Sequence, residues 1–345
     1  VNEKKDIRRE SLEGITNFLT INGEKPYKAR QVHEWLWMKS ARDFDVMSNL
    51  SLATRALLKE SYTIRPVEIA LKQKSKDYTI KVGFRLHDGN LVEGVLIPSK
   101  DRMTACISSQ VGCSLSCKFC ATGYMERKRN LDAAEIYDQV IRIRDLSEEE
   151  FGKPLTNIVY MGMGEPLLNY SNVLESVNHI TNEKGLGMSY KRIAVSTAGI
   201  AKMIRRLGDD EVKFNLALSL HAANDEKRNK IMSINETNSL KILAESLNYF
   251  YSKTENEITF EYIIFNDFND SQQDAEELLA FCRKVPSKVN IIEYNPIREA
   301  DFRNARPDKI ENFRAFLEKK GVNVRVRRSR GKDIDAACGQ LANKQ

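Results

Sequence analysis

The sequence predicts an α/β fold, a partial TIM-like (β/α)6 barrel with a helical accessory domain before it and a β-hairpin extension. Three observations carry this. From residue 102 onward, six short apolar stretches of strand character alternate with longer stretches of helical periodicity, the pattern of a parallel sheet with helical crossovers. Six strands fall short of the eight that close a standard barrel, so the sheet stays open. The first of them runs into a cysteine-rich loop, and open parallel sheets gather their chemistry at the C-terminal ends of the strands.

The chain has 345 residues, 41% of them hydrophobic, with net charge +6 and six cysteines. That length suits one large domain plus an accessory one. No apolar run approaches the roughly 18 residues of a membrane span, so no membrane partner is expected. The charged start of the chain lacks an apolar signal region, and a cytoplasmic location is expected. Six cysteines are too few for a disulfide scaffold.

Residues 1–65 read as a helical accessory domain. Ser11–Leu19 is amphipathic, Pro26 suits the first turn of a second helix through Val32, Trp35, Leu36 and Met38, and Leu50–Tyr62 gives a third. Trp35 falls on the core face and Trp37 on another, expected to be exposed. Residues 66–98 form a β extension: Glu68–Gln73, Tyr78–Leu86 and Leu91–Ile97 alternate as strands, with a turn at His87-Asp88-Gly89-Asn90. Residues 99–330 make the barrel core. Its strands are Met103–Ser108, Asn157–Met161, Arg192–Ser196, Lys213–Leu220, Ile258–Ile264 and Val289–Tyr294. Its helices are Ala133–Leu146, Ser171–Asn182, Ile200–Leu207, Asn238–Tyr251 and Gln272–Val285. A helix at Asp308–Lys320 and a strand at Val322–Arg327 follow, and a tail, 331–345, closes the chain.

Chemistry concentrates in the loop after the first barrel strand. Cys113, Cys117 and Cys120 form a C-x3-C-x2-C triplet. Soft thiolates on one tight loop suit three irons of a [4Fe–4S] cluster. A closed zinc site wants four ligands, and no fourth cysteine or histidine follows at matching spacing. The bland reading, three thiols packed as small hydrophobes, is disfavoured by their crowding within eight residues. Polar groups recur at the later strand ends: Gly164 and Glu165, then Ser196, then Ser219-Leu220-His221, then Asn295. Any one of them reads best as a structural turn; four such ends facing a cluster loop read as a site.

The triplet spacing resembles that of radical S-adenosylmethionine (SAM) enzymes. Together with Ala121-Thr122-Gly123, Gly162-Met163-Gly164-Glu165-Pro166-Leu167-Leu168-Asn169, Ser219-Leu220-His221-Ala222 and Asp333-Ile334-Asp335-Ala336-Ala337-Cys338-Gly339-Gln340-Leu341, it resembles the RlmN family over almost the whole chain. These are dual-specificity methyltransferases acting on C2 of adenine in 23S ribosomal RNA and transfer RNA. The resemblance implies a radical SAM barrel with one [4Fe–4S] cluster on Cys113, Cys117 and Cys120, and two SAM molecules per turnover. It implies SAM contacts at Gly164, Glu165, Ser196, Ser219, Leu220, His221 and Asn295. Cys338 would be the cysteine that becomes methylated, Cys106 the one that resolves an RNA–protein adduct, and Glu93 the proton acceptor. A flavodoxin-type electron donor and a disulfide reductant would be partners. Without the resemblance, Cys338, Cys106 and Glu93 read as a small buried residue, a strand core position and a solvent-facing strand residue.

Adenine C2 lies between two ring nitrogens and is electron-poor, so it does not attack a sulfonium methyl; a radical route avoids that obstacle. The base must also leave its stack to be reached. Basic clusters at Lys25/Lys28/Arg30, Arg127-Lys128-Arg129 and Arg325, Arg327, Arg328, Arg330 and Lys332 offer an RNA footprint. Two alternatives stay open: the C8-methylating relative that confers antibiotic resistance, and a non-catalytic RNA-binding module with a structural metal. Arg327-Arg328-Ser329-Arg330-Gly331 and Asp333-Ile334-Asp335 look more like the C2 enzymes. The segment Tyr124–Arg129 departs from the Gly-Phe-bearing stretch usual in the family.

Overall fold

Side-chain caps and apolar periodicity set the first helices. The computed structural model describes residues 4–343. A short strand β1 (Lys5–Asp6) leads into α1 (Leu12–Ile21), where the Ser11 hydroxyl accepts the Gly14 N–H. α2 (Tyr27–Trp37) starts directly after Pro26, and α3 (Leu52–Ser61) is capped by Ser51, which accepts from Thr54 N–H. β2 (Tyr62–Thr63) returns parallel to β1, so the two ends of this segment meet. Trp37, expected at the surface, is buried: its ring stacks on His179 at 3.5 Å and meets Tyr137 edge-on at 5.2 Å. Trp35 is the half-exposed one, donating Nε1–H to Asn49 and lying under Lys39. The expectation failed because the face away from the α1–α3 core is covered by the barrel.

Next come β3 (Glu68–Lys74), β4 (Ile80–Arg85) and β5 (Leu91–Pro98), an antiparallel meander. β5 pairs antiparallel with β6 (Met103–Cys106), so the extension continues the barrel sheet. β7 (Gln110–Val111) and β8 (Arg129–Asn130) then pair with each other and pinch off the cysteine loop. The alternating part runs α4 (Ala133–Phe151), β9 (Asn157–Tyr160), α5 (Tyr170–Thr181), β10 (Ile193–Thr197), α6 (Ala201–Asp209) and β11 (Asn215–Ser219). It continues through α7 (Asp225–Ile231), α8 (Leu240–Thr254), β12 (Ile258–Ile263), α9 (Gln272–Cys282), β13 (Ser287–Ile292), α10 (Pro307–Lys319) and β14 (Val324–Arg327).

All of β3–β6 and β9–β14 lie in one sheet, ordered β14-β13-β12-β11-β10-β9-β6-β5-β4-β3. The strands from β6 to β14 pair in parallel, and the sheet ends at two edges without closing. The terminal strand β14 joins as a seventh parallel strand beside the six expected. Helices alternate with the parallel strands, and every residue of β12 is buried, whereas the edge strand β14 is exposed at Arg325, Val326 and Arg327. α7 was not foreseen. No helix among the described residues is long and apolar enough to cross a membrane.

Candidate active site

The loop between β7 and β8 brings Cys113, Cys117 and Cys120 to one cavity at the C-terminal ends of the parallel strands. α7 and the turn after it support the loop from behind: the Ile231 carbonyl at the end of α7 accepts Lys118 N–H at 3.0 Å, and Ser233 in the turn donates its hydroxyl to the Leu115 carbonyl at 3.1 Å. Burial pushes all three thiols up, Cys113 to about 11, so with nothing bound they are protonated. No three His, Cys, Asp or Glu side chains among the described residues converge tightly enough for a single metal ion. Three soft ligands spread around one cavity fit a cluster that takes one thiolate per iron corner.

The strand-end residues surround the same cavity. Gly164, Glu165, Ser196, Ser219 and His221 line it; Leu220 and Asn295 are buried beside it. Gly164 sits at φ +93°, where a Cβ would collide with the Gln110 side chain at 2.4 Å, so the glycine is demanded by the cysteine loop's own packing. Glu165 accepts N–H bonds from Leu167 at 3.0 Å and Ala198 at 2.8 Å, and burial raises its carboxyl against them. His221 Nδ1 accepts Ile263 N–H at 3.1 Å, which puts its proton on Nε2. Burial, then the Arg228 cation, hold this imidazole down at about 3, so it is neutral. Phe119 meets the ring edge-on at 4.6 Å. Asn295 donates Nδ2–H to the Cys338 carbonyl at 3.1 Å, while its Oδ1 is buried with no partner among the described residues.

The tail carries Cys338 to the mouth of the cavity. The Gly339 carbonyl accepts Ala121 N–H at 2.7 Å, the Leu341 carbonyl accepts the Thr122 hydroxyl at 2.5 Å, and Gln340 donates to the Pro296 carbonyl at 3.1 Å. Further back, Asp77 accepts Gly331 N–H at 2.9 Å, and Asp333 accepts from Ser75 and Lys76. Cys338 lines the main cavity and also a smaller one that Cys106 lines. Its thiol reaches solvent, though crowded; Cys106 at the end of β6 is buried. Burial, then the Cys338 sulfur, push the Cys106 thiol up to about 12. Burial raises Cys338 too, opposed by Arg327.

Glu93 is buried in β5 behind the tail and lines neither cavity. Its Oε2 accepts the N–H groups of Ala342 at 2.9 Å and Asn343 at 3.1 Å, and Lys81 Nζ lies 3.4 Å from Oε1. Two residues that line the cleft, Glu261 and Arg327, and one buried behind it, Arg228, take places that sequence reading did not give them. Glu261 of β12 is buried, bonded to Asn290 at 2.8 Å and facing Arg327 at 3.5 Å; a carboxylate inside the apolar run Ile258–Ile264 was its signal. Arg327 had been assigned to an RNA footprint. Arg228, wholly buried, sits in the helix that sequence periodicity did not reveal.

The basic clusters are partly committed within the protein. Arg129 pairs with Glu135 at 2.7 Å and Asp88 at 2.6 Å, Lys28 with Glu24 at 2.5 Å, and Lys332 with Glu293 at 2.7 Å. Arg127, Lys128, Arg325 and Arg328 are exposed and carry no ion pair among the described residues.

Residues 6–64 match the family model for the ribosomal RNA large subunit methyltransferase N-terminal domain, and residues 107–282 the radical SAM superfamily. A protein of Cytophaga hutchinsonii named "Probable dual-specificity RNA methyltransferase RlmN" is 63% identical, the match covering 99% of this chain and 94% of that one. A protein of the same name from Christiangramia forsetii is 53% identical, over 99% and 97%. The crystal structure of a radical SAM methyltransferase from Sphaerobacter thermophilus superposes with a TM-score of 0.92 at 37% identity, over 99% of this chain and all of that one.

Proposed function

The chain belongs to the RlmN family of dual-specificity radical SAM RNA methyltransferases, and from that premise we propose that it methylates C2 of adenine in 23S ribosomal RNA and transfer RNA through a methylated Cys338. The family implies SAM and a [4Fe–4S] cluster. On this reading Cys113, Cys117 and Cys120 hold the cluster, and Gly164, Glu165, Ser196, Ser219, Leu220, His221 and Asn295 form the SAM pocket. When bound, cluster and SAM supply the organic radical that an electron-poor ring carbon requires.

The observation that carries the reading is the placement of Cys338. A tail held on both sides of it sets one accessible thiol between the cavity of the cysteine triplet and the cavity of Cys106. A thiolate is a competent acceptor for a sulfonium methyl, so Cys338 carries the one-carbon unit. Cys106 then attacks, as its thiolate, the Cys338 sulfur; the carbon–sulfur bond breaks with its electron pair going to the carbon, which takes up a proton as the new methyl group of the freed RNA, and the resulting disulfide is reduced by an external dithiol. The neutral His221 offers Nε2–H as a donor into the pocket. For Glu93, the proton-acceptor role requires the tail to lift, because both carboxylate oxygens face the tail amides and Lys81; its contacts support a holding role. The exposed cations Arg127, Lys128, Arg325 and Arg328 would meet RNA phosphates. A flavodoxin-type one-electron donor completes the scheme.

The test is the product. Digested RNA from a reaction in vitro should contain 2-methyladenosine; 8-methyladenosine would establish the C8 chemistry instead. Cys338→Ala should assemble the cluster and methylate nothing, and Cys106→Ala should accumulate an RNA–protein adduct that survives denaturation. Methylation by Cys338→Ala would refute the relay.

A further inference from the structure

Arg228 is a fully buried cation with no carboxylate at salt-bridge distance among the described residues. Its guanidinium donates to neutral oxygens only: the carbonyls of Leu220 at 3.0 Å, Ala198 at 2.6 Å and Ser219 at 3.1 Å, and Asn235 Oδ1 at 2.7 Å. Burying a charge this way is costly, and such charges are normally matched by an opposite one. The carboxylate that acts on it through space, Asp225, is exposed and is bridged to it by Asn235, whose Nδ2 donates to Asp225 at 2.8 Å. Burial draws the guanidinium down to about 10, so it stays a cation at neutral pH. It is close enough to Cys117 for the two to interact electrostatically, and its helix α7 is bonded to the cysteine loop through Ile231. The three carbonyls it holds belong to the strand ends that frame the cavity.

We propose that Arg228 is a positioning residue whose missing counter-charge is the bound cluster: it balances the thiolates of Cys113, Cys117 and Cys120 and braces the β10 and β11 ends against them. The proposal rests on the reading that these cysteines hold the cluster. A cluster bound by three thiolates is anionic, and uptake of one electron from the donor adds a further negative charge. A fixed buried cation favours the reduced form; its removal disfavours it.

The experiment is a redox titration of the reconstituted full chain, followed by the cluster's paramagnetic signal, with iron and sulfide counted first. Arg228→Gln should shift the reduced-to-oxidised ratio at fixed poise by about tenfold toward oxidised, about 59 mV for one electron. Arg228→Lys keeps the charge without the fork, so its potential should stay within about twofold of wild type while SAM binding weakens. Asp225→Asn removes the screened anion and should shift the ratio the other way, by about twofold. A merely structural brace would move SAM affinity and melting but not these opposed shifts. Equal potentials in wild type and Arg228→Gln, with four irons in each, would overturn the proposal; should Arg228→Gln not fold, an unmoved potential in Asp225→Asn does the same. A wild-type protein that binds no cluster would instead sink the reading of the cysteines.

Discussion

Replacing Glu93 with glutamine removes one negative charge from a buried site and leaves the shape unchanged. The carboxylate takes the Ala342 and Asn343 N–H bonds on one oxygen and faces Lys81 with the other. A glutamine oxygen keeps the two amide bonds as neutral ones, each about 1 kcal/mol weaker than its charge-assisted counterpart. The tail therefore loses about 2 kcal/mol, roughly thirtyfold in local opening. Lys81 is left buried and unpaired, which costs the whole fold on the order of 3–5 kcal/mol. Adding Lys81→Met separates the two effects. The double variant should regain most of the urea midpoint, while hydrogen exchange at the Ala342 and Asn343 amides stays fast. Protection of those two amides within about twofold of wild type in Glu93→Gln would refute the holding role and return Glu93 to consideration as a base.

Trp37→Ala should cost about 3–5 kcal/mol, read as a fall in urea midpoint, because it empties the space between His179 and Tyr137; Trp35→Ala should cost under about 1 kcal/mol. The buried Arg8 lowers the Asp6 carboxyl below its ordinary value of 3.8, against the burial that raises it. A lowered folded pKa means that the contribution is complete above that value and lost as pH falls through it. Denaturation profiles between about pH 2 and 5 should accordingly be flatter for Asp6→Asn than for wild type. Gly339 stands at φ +84° with its missing Cβ 3.1 Å from the Phe119 carbonyl. Gly339→Ala should cost about 1–2 kcal/mol and speed Cys338 alkylation as the tail lifts; an unchanged alkylation rate would count against the tail as the element that positions Cys338.

The strand–helix alternation was legible because each parallel strand is a short apolar run bounded by polar turns, a signal that survives without tertiary knowledge. The cysteine loop was legible from spacing alone. α7 was not: Asp225-Glu226-Lys227-Arg228-Asn229-Lys230-Ile231 has no apolar stripe, since of its two buried side chains, Arg228 and Ile231, one is an arginine. Trp37 was misplaced because its burial comes from α4 and α5, more than a hundred positions later in the case of His179. Charge runs misled in the same way. Arg129 and Lys332 look free in sequence, but their partners Asp88, Glu135 and Glu293 are set by the fold.

The same distance problem bears on how one thiol can serve two neighbours. The backbone of Cys338 is held by Asn295 through its own carbonyl and by Ala121 through the next one. Those bonds leave the side chain as the free element. Cys338 lines both cavities, so on the proposed relay a rotation about χ1 would carry sulfur between the triplet's side and Cys106's side with no backbone bond broken. Side-chain rotamer changes are fast beside typical turnover, whereas lifting the tail would break contacts to Ala121, Thr122, Asn295 and Glu93 together. On the relay proposed above, a fixed tail with a swinging sulfur is thus the economical arrangement for a carbon picked up at one wall and discharged toward the other.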